Sequence, residues 1–214
     1  LLDDIIQKVE KARSEGLKIT ADMYTYNASS TGLTGVIPTW VQEGGHRAWI
    51  NRMQQKEPRK RLIQDIKKEL EQQPPQGILM VGFNKDSMKK KYIGMTIAEA
   101  AKIRNQSPEE AIIDLIIEDD SRIQCIYFSM SEDNIRKKIK LPWVSFCSDA
   151  GSYSNPPNGF RTHPRAFGSF IRVLGKYSRD EGLITLEEGI RKLTSFPAEN
   201  LGIKDRGLLK NGFY

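Results

Sequence analysis

The sequence predicts an α/β fold of helix–strand units carrying a mostly helical middle segment, and three observations support this. Leu1–Ser14 sets Leu2, Ile5, Ile6 and Val9 on one side of a helix, with Gly16 as its C-terminal stop. Leu17–Ala21 then reads as a short buried strand that runs out into polar Asp22-Met23-Tyr24. Trp143–Cys147 repeats the pattern of an apolar strand delivering polar residues, here Ser148-Asp149. Helix, glycine, strand and polar loop form the repeating unit of a βα architecture, in which chemistry gathers at the C-terminal ends of strands.

The 214 residues suffice for a real core, in one large domain or two small ones. A hydrophobic fraction of 38% and a mean hydropathy of −0.51 fit a globular protein in water. No apolar run approaches the ~20 residues needed to cross a bilayer, and Leu1 opens directly on an amphipathic pattern without a signal-peptide core. No membrane partner and a cytoplasmic location are therefore expected. Cys125 and Cys147 each sit in an apolar run and read as buried free thiols. With only His46 and His163 to offer imidazole, a closed Cys/His zinc site made by this chain alone is not expected.

The net charge of +6 raises the question of nucleic acid. The basic residues concentrate in 56–68, 85–91 and 136–140. In the first of these, Leu62, Ile63, Ile66 and Leu70 recur at helical spacing, and the basic residues lack interleaved aromatics for base stacking. That pattern is the solvated face of an amphipathic helix, and no nucleic-acid partner is expected.

Residues 1–40 form the first segment, and the texture changes over 41–140 to a charged, mostly helical subdomain with breaks at Pro58, Pro74-Pro75 and Gly82. Thr96-Ile97-Ala98-Glu99 and Ser107-Pro108-Glu109-Glu110 read as capping boxes, the second with proline at the first helical position. Gly77–Phe83 and Arg122–Phe128 read as strands, and Ser131–Lys140 as a helix before Pro142. Residues 141–214 contribute the second strand, the turn-rich SYSNPPNGF loop, and a long helix over His163–Arg179. A helix capped at Thr185 and running through Leu193 follows, then a short one in SFPAENLG stopped by Gly202. The chain begins inside a helical pattern and ends at LLKNGFY, where another strand could follow, so a longer polypeptide is expected.

Three places could carry chemistry. Asp149 follows a buried strand and precedes small residues, which aims its carboxylate into a strand-end pocket; an Asp there also serves simply to cap a turn. Tyr24, Tyr26, Ser29 and Ser30 supply hydroxyls just after the first strand, in what otherwise reads as an ordinary polar loop. Arg161-Thr162-His163-Pro164-Arg165 puts guanidinium groups beside a proline-fixed helix start, where one can grip a carboxylate by two parallel hydrogen bonds or else face solvent. His46, in EGGHRAW, reads as a surface histidine, and neither a glycine-rich phosphate loop nor a Ser/His/Asp nucleophile pattern stands out.

Taken in order, TADMYTYNASST, then SFCSDAG, then HPRAFGSFIRVLGKYSRDEGLITLEEGIRKLTSFPAENLGIKDRG closely resemble the N-acyl-D-amino-acid deacylases of the metal-dependent amidohydrolase superfamily. The likeness is dense from Ser145 to Gly212, good from Leu1 to Thr31, and thin between. It implies the C-terminal part of a TIM-like (β/α)8 amidohydrolase barrel with an inserted α+β subdomain. Leu17–Ala21 would be the seventh barrel strand and Val144–Cys147 the eighth.

The resemblance further implies zinc, with most ligands upstream of this chain in the remaining N-terminal part of the barrel. Asp149 would approach that metal and act as the catalytic acid/base. Arg165, Tyr24 and Ser30 would bind the substrate, a small N-acyl amino acid. Two departures stand out: Thr25 sits where the family usually has proline between two tyrosines, and Ala150 where glycine often follows the aspartate. The expected activity is hydrolysis of the amide bond of N-acyl-D-amino acids. A cyclic-amide hydrolase of the dihydroorotase or hydantoinase type would share the barrel, metal and aspartate; a non-catalytic domain binding acidic partners is the alternative from another class.

Overall fold

The computed structural model describes residues 1–152 and 163–214; Arg161, Thr162 and most of the SYSNPPNGF loop lie outside the described residues. In chain order the elements are α1 (Leu2–Ser14), β1 (Ala21–Met23), β2 (Ser29–Gly32), α2 (Thr39–Gln42), α3 (His46–Gln54), α4 (Lys56–Gln72), β3 (Ile78–Gly82) and α5 (Asp86–Tyr92). Then come α6 (Ile97–Arg104), α7 (Pro108–Asp119), β4 (Gln124–Tyr127), α8 (Glu132–Ile139), β5 (Val144–Phe146), α9 (Arg165–Arg172), α10 (Leu186–Leu193) and α11 (Ser195–Asn200). The protein is mixed α/β, and no helix among the described residues is long and apolar enough to cross a membrane.

The chain divides into two compact units. One comprises Leu1–Asn27, Met130–Ser152 and Pro164–Tyr214; the other comprises Ala28–Ser129 with His163.

In the first unit β1 and β5 pair in parallel, Ala21 against Val144 and Met23 against Phe146. The expected strand Leu17–Ala21 is displaced: Leu17 is exposed and the ladder starts only at Ala21, whose amide donates to Trp143 O. The Ile19 carbonyl is instead taken by the Arg13 guanidinium, so apolar residues alone did not define the strand. Met23, Ile135, Ile139, Trp143, Val144, Phe146, Val173 and Tyr177 make this unit's core, with Ile6 and Val9 of α1 packed against it. Cys147 is only half-buried rather than buried.

The helix expected over His163–Arg179 is α-helical over Arg165–Arg172 and continues as a π-helix over Val173–Asp180. Lys176 and Tyr177, on the π segment, both donate to the carboxylate of Glu132 on α8, Tyr177 Oη at 2.6 Å. Lys192, fully buried on α10, donates to the Ile139 and Leu141 carbonyls, tying off the end of α8 with a cation where a helix leaves carbonyls unpaired. Burial pushes the Lys192 amine down to about 8.

The second unit is a three-stranded antiparallel sheet in the order β2-β4-β3. Helices cover one of its faces, with Leu33, Trp49, Leu62, Ile66, Met80, Ile112, Leu115 and Tyr127 among its core. Expected over 41–140, the compact unit instead runs Ala28–Ser129, because Ser29–Gly32 joins the sheet beside β4 and Leu33 is buried. At the other end, Ile135 and Ile139 belong to the first unit's core. Both capping boxes form as read, with Thr96 accepting from Glu99 N and Ser107 from Glu110 N. Pro58 does not break the chain: it sits in the first turn of α4, where helical N–H groups have no partner to lose. Along α4, Leu62, Ile66 and Leu70 are buried, as the amphipathic spacing requires.

Burial would raise the Glu132 carboxyl, but the hydrogen bonds from Lys176 and Tyr177 and the charges of Lys176 and Arg172 outweigh it and hold the group below its ordinary value. A carboxyl with a lowered folded-state pKa stabilises the fold above its unfolded value, ~4.3, and loses that contribution as pH falls through the folded value. Glu132→Gln should therefore lower unfolding free energy by ~1.5–3 kcal/mol at neutral pH. Denaturant titrations should show that gap shrinking as the pH drops below ~4. A gap that stays constant down to strong acid would assign the loss to packing instead.

Candidate active site

Because β1 and β5 are parallel and in register, their C-terminal ends emerge side by side, and the Cys147 amide extends the ladder by donating to Met23 O at 3.0 Å. Tyr24 follows one strand, and Cys147, Ser148 and Asp149 follow the other. Asp149 adopts a left-handed backbone conformation, φ +47°, which Asp tolerates better than most residues. Its carboxylate forms an ion pair with Arg165, Oδ2 standing 3.0 Å from Nη2, and more than half of its side chain is exposed. Arg165 opens α9 directly after Pro164 and is nearly buried. Its guanidinium carbon stands 4.7 Å from the centre of the Tyr24 ring, a cation–π contact. Burial raises the Tyr24 phenol, against the opposing pull of Arg165.

The segment between the two tyrosines is pinned to α9. Thr25 is fully buried and its hydroxyl donates to Ser169 O at 3.0 Å, while Arg172 Nε donates to Thr25 O at 2.9 Å. Arg172 also lies over the Tyr26 ring, 4.6 Å from its centre. Gly168 is required for this approach: a Cβ there would come within 2.1 Å of Tyr26 Oη.

A cavity of about 310 Å³ opens between these elements, lined by Asp22, Tyr24, Lys138, Cys147 and Asp149 together with Met23 and Met130. The Ser145 hydroxyl donates to the Asp22 carboxylate. Lys138 was not singled out by its sequence context, one basic residue in the run Arg136-Lys137-Lys138 at the end of a helix. Burial lowers its amine and raises the Cys147 thiol.

Of the residues singled out, Asp149, Arg165 and Tyr24 are brought together in the first unit. Ser30 lies in the second, within strand β2 rather than a loop, and accepts from Gln124 Nε2 at 2.8 Å. His46 opens α3, with Trp49 Nε1 donating to its Nδ1 at 3.0 Å; the opposite nitrogen, 2.7 Å from Asp120 Oδ1, therefore carries the proton. His163 Nε2 lies 3.0 Å from Ala28 O. Among the described residues no three His, Cys, Asp or Glu side chains converge as metal ligands do. A neutral thiol at Cys147 and a carboxylate already paired with Arg165 do not by themselves make a zinc site.

Solved structures align with essentially the whole chain. The N-acyl-D-glutamate deacylase of Bordetella bronchiseptica, complexed with zinc and a phosphonate mimic of the tetrahedral intermediate, aligns with 98% of the chain at 26% identity and a TM-score of 0.68. A D-aminoacylase described as defining a novel subset of amidohydrolases aligns with 100% of it at 25% identity and the same TM-score. A further D-aminoacylase structure, from work on its binuclear metal centre, gives the same values. This chain is similar to the D-aminoacylases. It spans about a third, 34–35%, of the length of the D-aminoacylase chains it matches. No protein-family model and no curated protein matches it. The likeness reaches across the middle of the chain, where the sequence resemblance is thin.

The exposure of the two thiols is checked by alkylation of the folded protein. Iodoacetamide followed by peptide mass spectrometry should label Cys147, slowly and faster as pH rises, and leave the buried Cys125 unlabelled until the protein unfolds. Labelling of Cys125 first would refute the placement of both.

Proposed function

We propose that this chain is part of a metal-dependent amidohydrolase that cleaves the amide bond of N-acyl-D-amino acids, releasing a carboxylate and a free amino acid. The observation that carries the reading is the meeting of Asp149, Arg165 and Tyr24 at the ends of two parallel strands, in a chain similar to the D-aminoacylases along its whole length. On this reading β1 and β5 are the seventh and eighth strands of a TIM-like barrel, and the inserted subdomain expected over 41–140 corresponds to the compact unit Ala28–Ser129. The rest of the barrel lies in the two thirds of the relatives that the chain does not span, and it would supply most zinc ligands around which Asp149 is set. A cytoplasmic setting, where Cys125 and Cys147 stay reduced, belongs to the same proposal.

Amide hydrolysis needs a base to take a proton from water and an acid to give one to the leaving nitrogen. Asp149 is proposed for both: it lines a cavity large enough for a small substrate, and its carboxylate is paired with one guanidinium nitrogen of Arg165. Arg165 is the proposed anchor for the α-carboxylate, because its planar fork matches a carboxylate in two places and Tyr24 fixes it from the ring face. Ser30 is the proposed further substrate-binding hydroxyl. Fixing the carboxylate fixes the scissile bond, and orientation of this kind is worth up to ~7–11 kcal/mol in the best cases.

Asp149→Asn should retain the fold and lower kcat ~10²–10⁴-fold. A variant retaining most of its turnover would remove Asp149 from the chemistry. Arg165→Lys loses the planar fork, so KM should rise ~10-fold or more with a smaller change in kcat; an unchanged KM would take Arg165 out of the substrate site. The reaction itself is tested by supplying the complete protein and zinc with N-acetyl-D- and N-acetyl-L-amino acids and measuring released amine. D-selective release is expected, and turnover of cyclic imides or ureides in its place would make the cyclic-amide reading correct.

A further inference from the structure

We propose that Gln124 is a positioning residue for Ser30, setting that hydroxyl to donate to an acceptor oxygen of the substrate; the inference rests on the reading of Ser30 as substrate-binding. In the antiparallel ladder Ser30 stands opposite Ile126, and Gln124 stands opposite Gly32 on one side and Gly82 on the other. Ser30 and Gln124 are thus diagonal neighbours on one sheet face, and neither residue directly across from Gln124 has a side chain to compete for its amide. This is the sheet's open face. Gln124 is exposed and Ser30, Ile126 and Leu79 are half-buried, whereas the alternate residues Cys125, Tyr127, Ile78 and Met80 are buried in the core.

Gln124 Nε2 donates to Ser30 Oγ at 2.8 Å. A serine hydroxyl has one proton and two lone pairs. The amide N–H occupies a lone pair and leaves the proton unspent, and among the described residues nothing accepts it. Accepting one bond also strengthens the hydroxyl as a donor in the next. The pair therefore presents an unspent donor, suited to a carboxylate or acyl oxygen. Had the amide oxygen faced Ser30, the proton would have been consumed within the sheet.

The test is steady-state kinetics of the complete enzyme on its best N-acyl-amino acid, for Gln124→Glu, Ser30→Ala and the double variant. Gln124→Glu keeps the side chain's shape but can only accept, so it draws the Ser30 proton onto itself. KM should rise ~10-fold in each single variant with kcat within about twofold, and the double variant should show no further rise. Circular dichroism should be unchanged, since Gln124 is exposed. A raised KM for Ser30→Ala with a normal KM for Gln124→Glu overturns the role of Gln124 and leaves Ser30 in place. A normal KM for Ser30→Ala overturns the reading of Ser30 and the inference with it. Multiplying effects in the double variant, or loss of kcat at unchanged KM, also overturn it.

Discussion

A parallel ladder of three residue pairs is the constraint on which the candidate site depends. Ser145 and Ala21 meet although 124 positions separate them in the chain. Closing so long a loop has an entropic cost that a handful of ladder hydrogen bonds does not offset. What holds β1 beside β5 is the apolar cluster behind them, in which Met23 packs with Ile135, Ile139, Trp143, Val144 and Phe146. Parallel strands need such cover, since their connections lie over their faces. The parallel sense has a chemical consequence: both strands end at the same edge, so Tyr24 and Asp149 arrive together instead of at opposite ends.

The position of Arg165 follows from a second, separate constraint. Its helix is anchored by Ser169, whose carbonyl accepts from Thr25, by Gly168, which lets Tyr26 approach, and by Arg172, which reaches back to the Thr25 carbonyl. Further along, the π segment ties to α8 through Glu132. The guanidinium that meets Asp149 is thus fixed from the helix side while the aspartate is fixed from the strand side. The two backbones are placed by different elements, so the ion pair between the side chains can open toward a substrate without moving either backbone.

Local signals were legible in the sequence and non-local ones were not. Both capping boxes, the Thr185 cap and the Gly16 stop depend on residues within a few positions of each other, and all are found as read. β2 carries no apolar pattern at all. Ser29–Gly32 is a strand only because β4 lies beside it, as in the bond from Tyr127 Oη to Gly32 O across 95 positions, so Ser30 read as a loop residue. β1 began four residues late for the same reason: pairing with β5, not the apolar Leu17 and Ile19, decides where it starts. Asp149 and Arg165 were visible through the resemblance. Lys138 and Gln124 were not, because nothing near a charged helix end or an exposed strand position marks its neighbours in space.

Thr25 shows how the segment between two tyrosines can be held without a proline. A proline between the tyrosines would restrict the backbone by its ring alone. Threonine leaves the backbone torsions free, but its hydroxyl donates a tertiary hydrogen bond to Ser169 O that proline could not make, beside the bond from Arg172 to its carbonyl. Complete burial of Thr25 keeps water from competing for the bond its hydroxyl makes. The restraint passes from covalent geometry to α9, the helix that carries Arg165. The orientation of Tyr24 and the position of Arg165 are then set by one packed element, which keeps the ring and the guanidinium in contact.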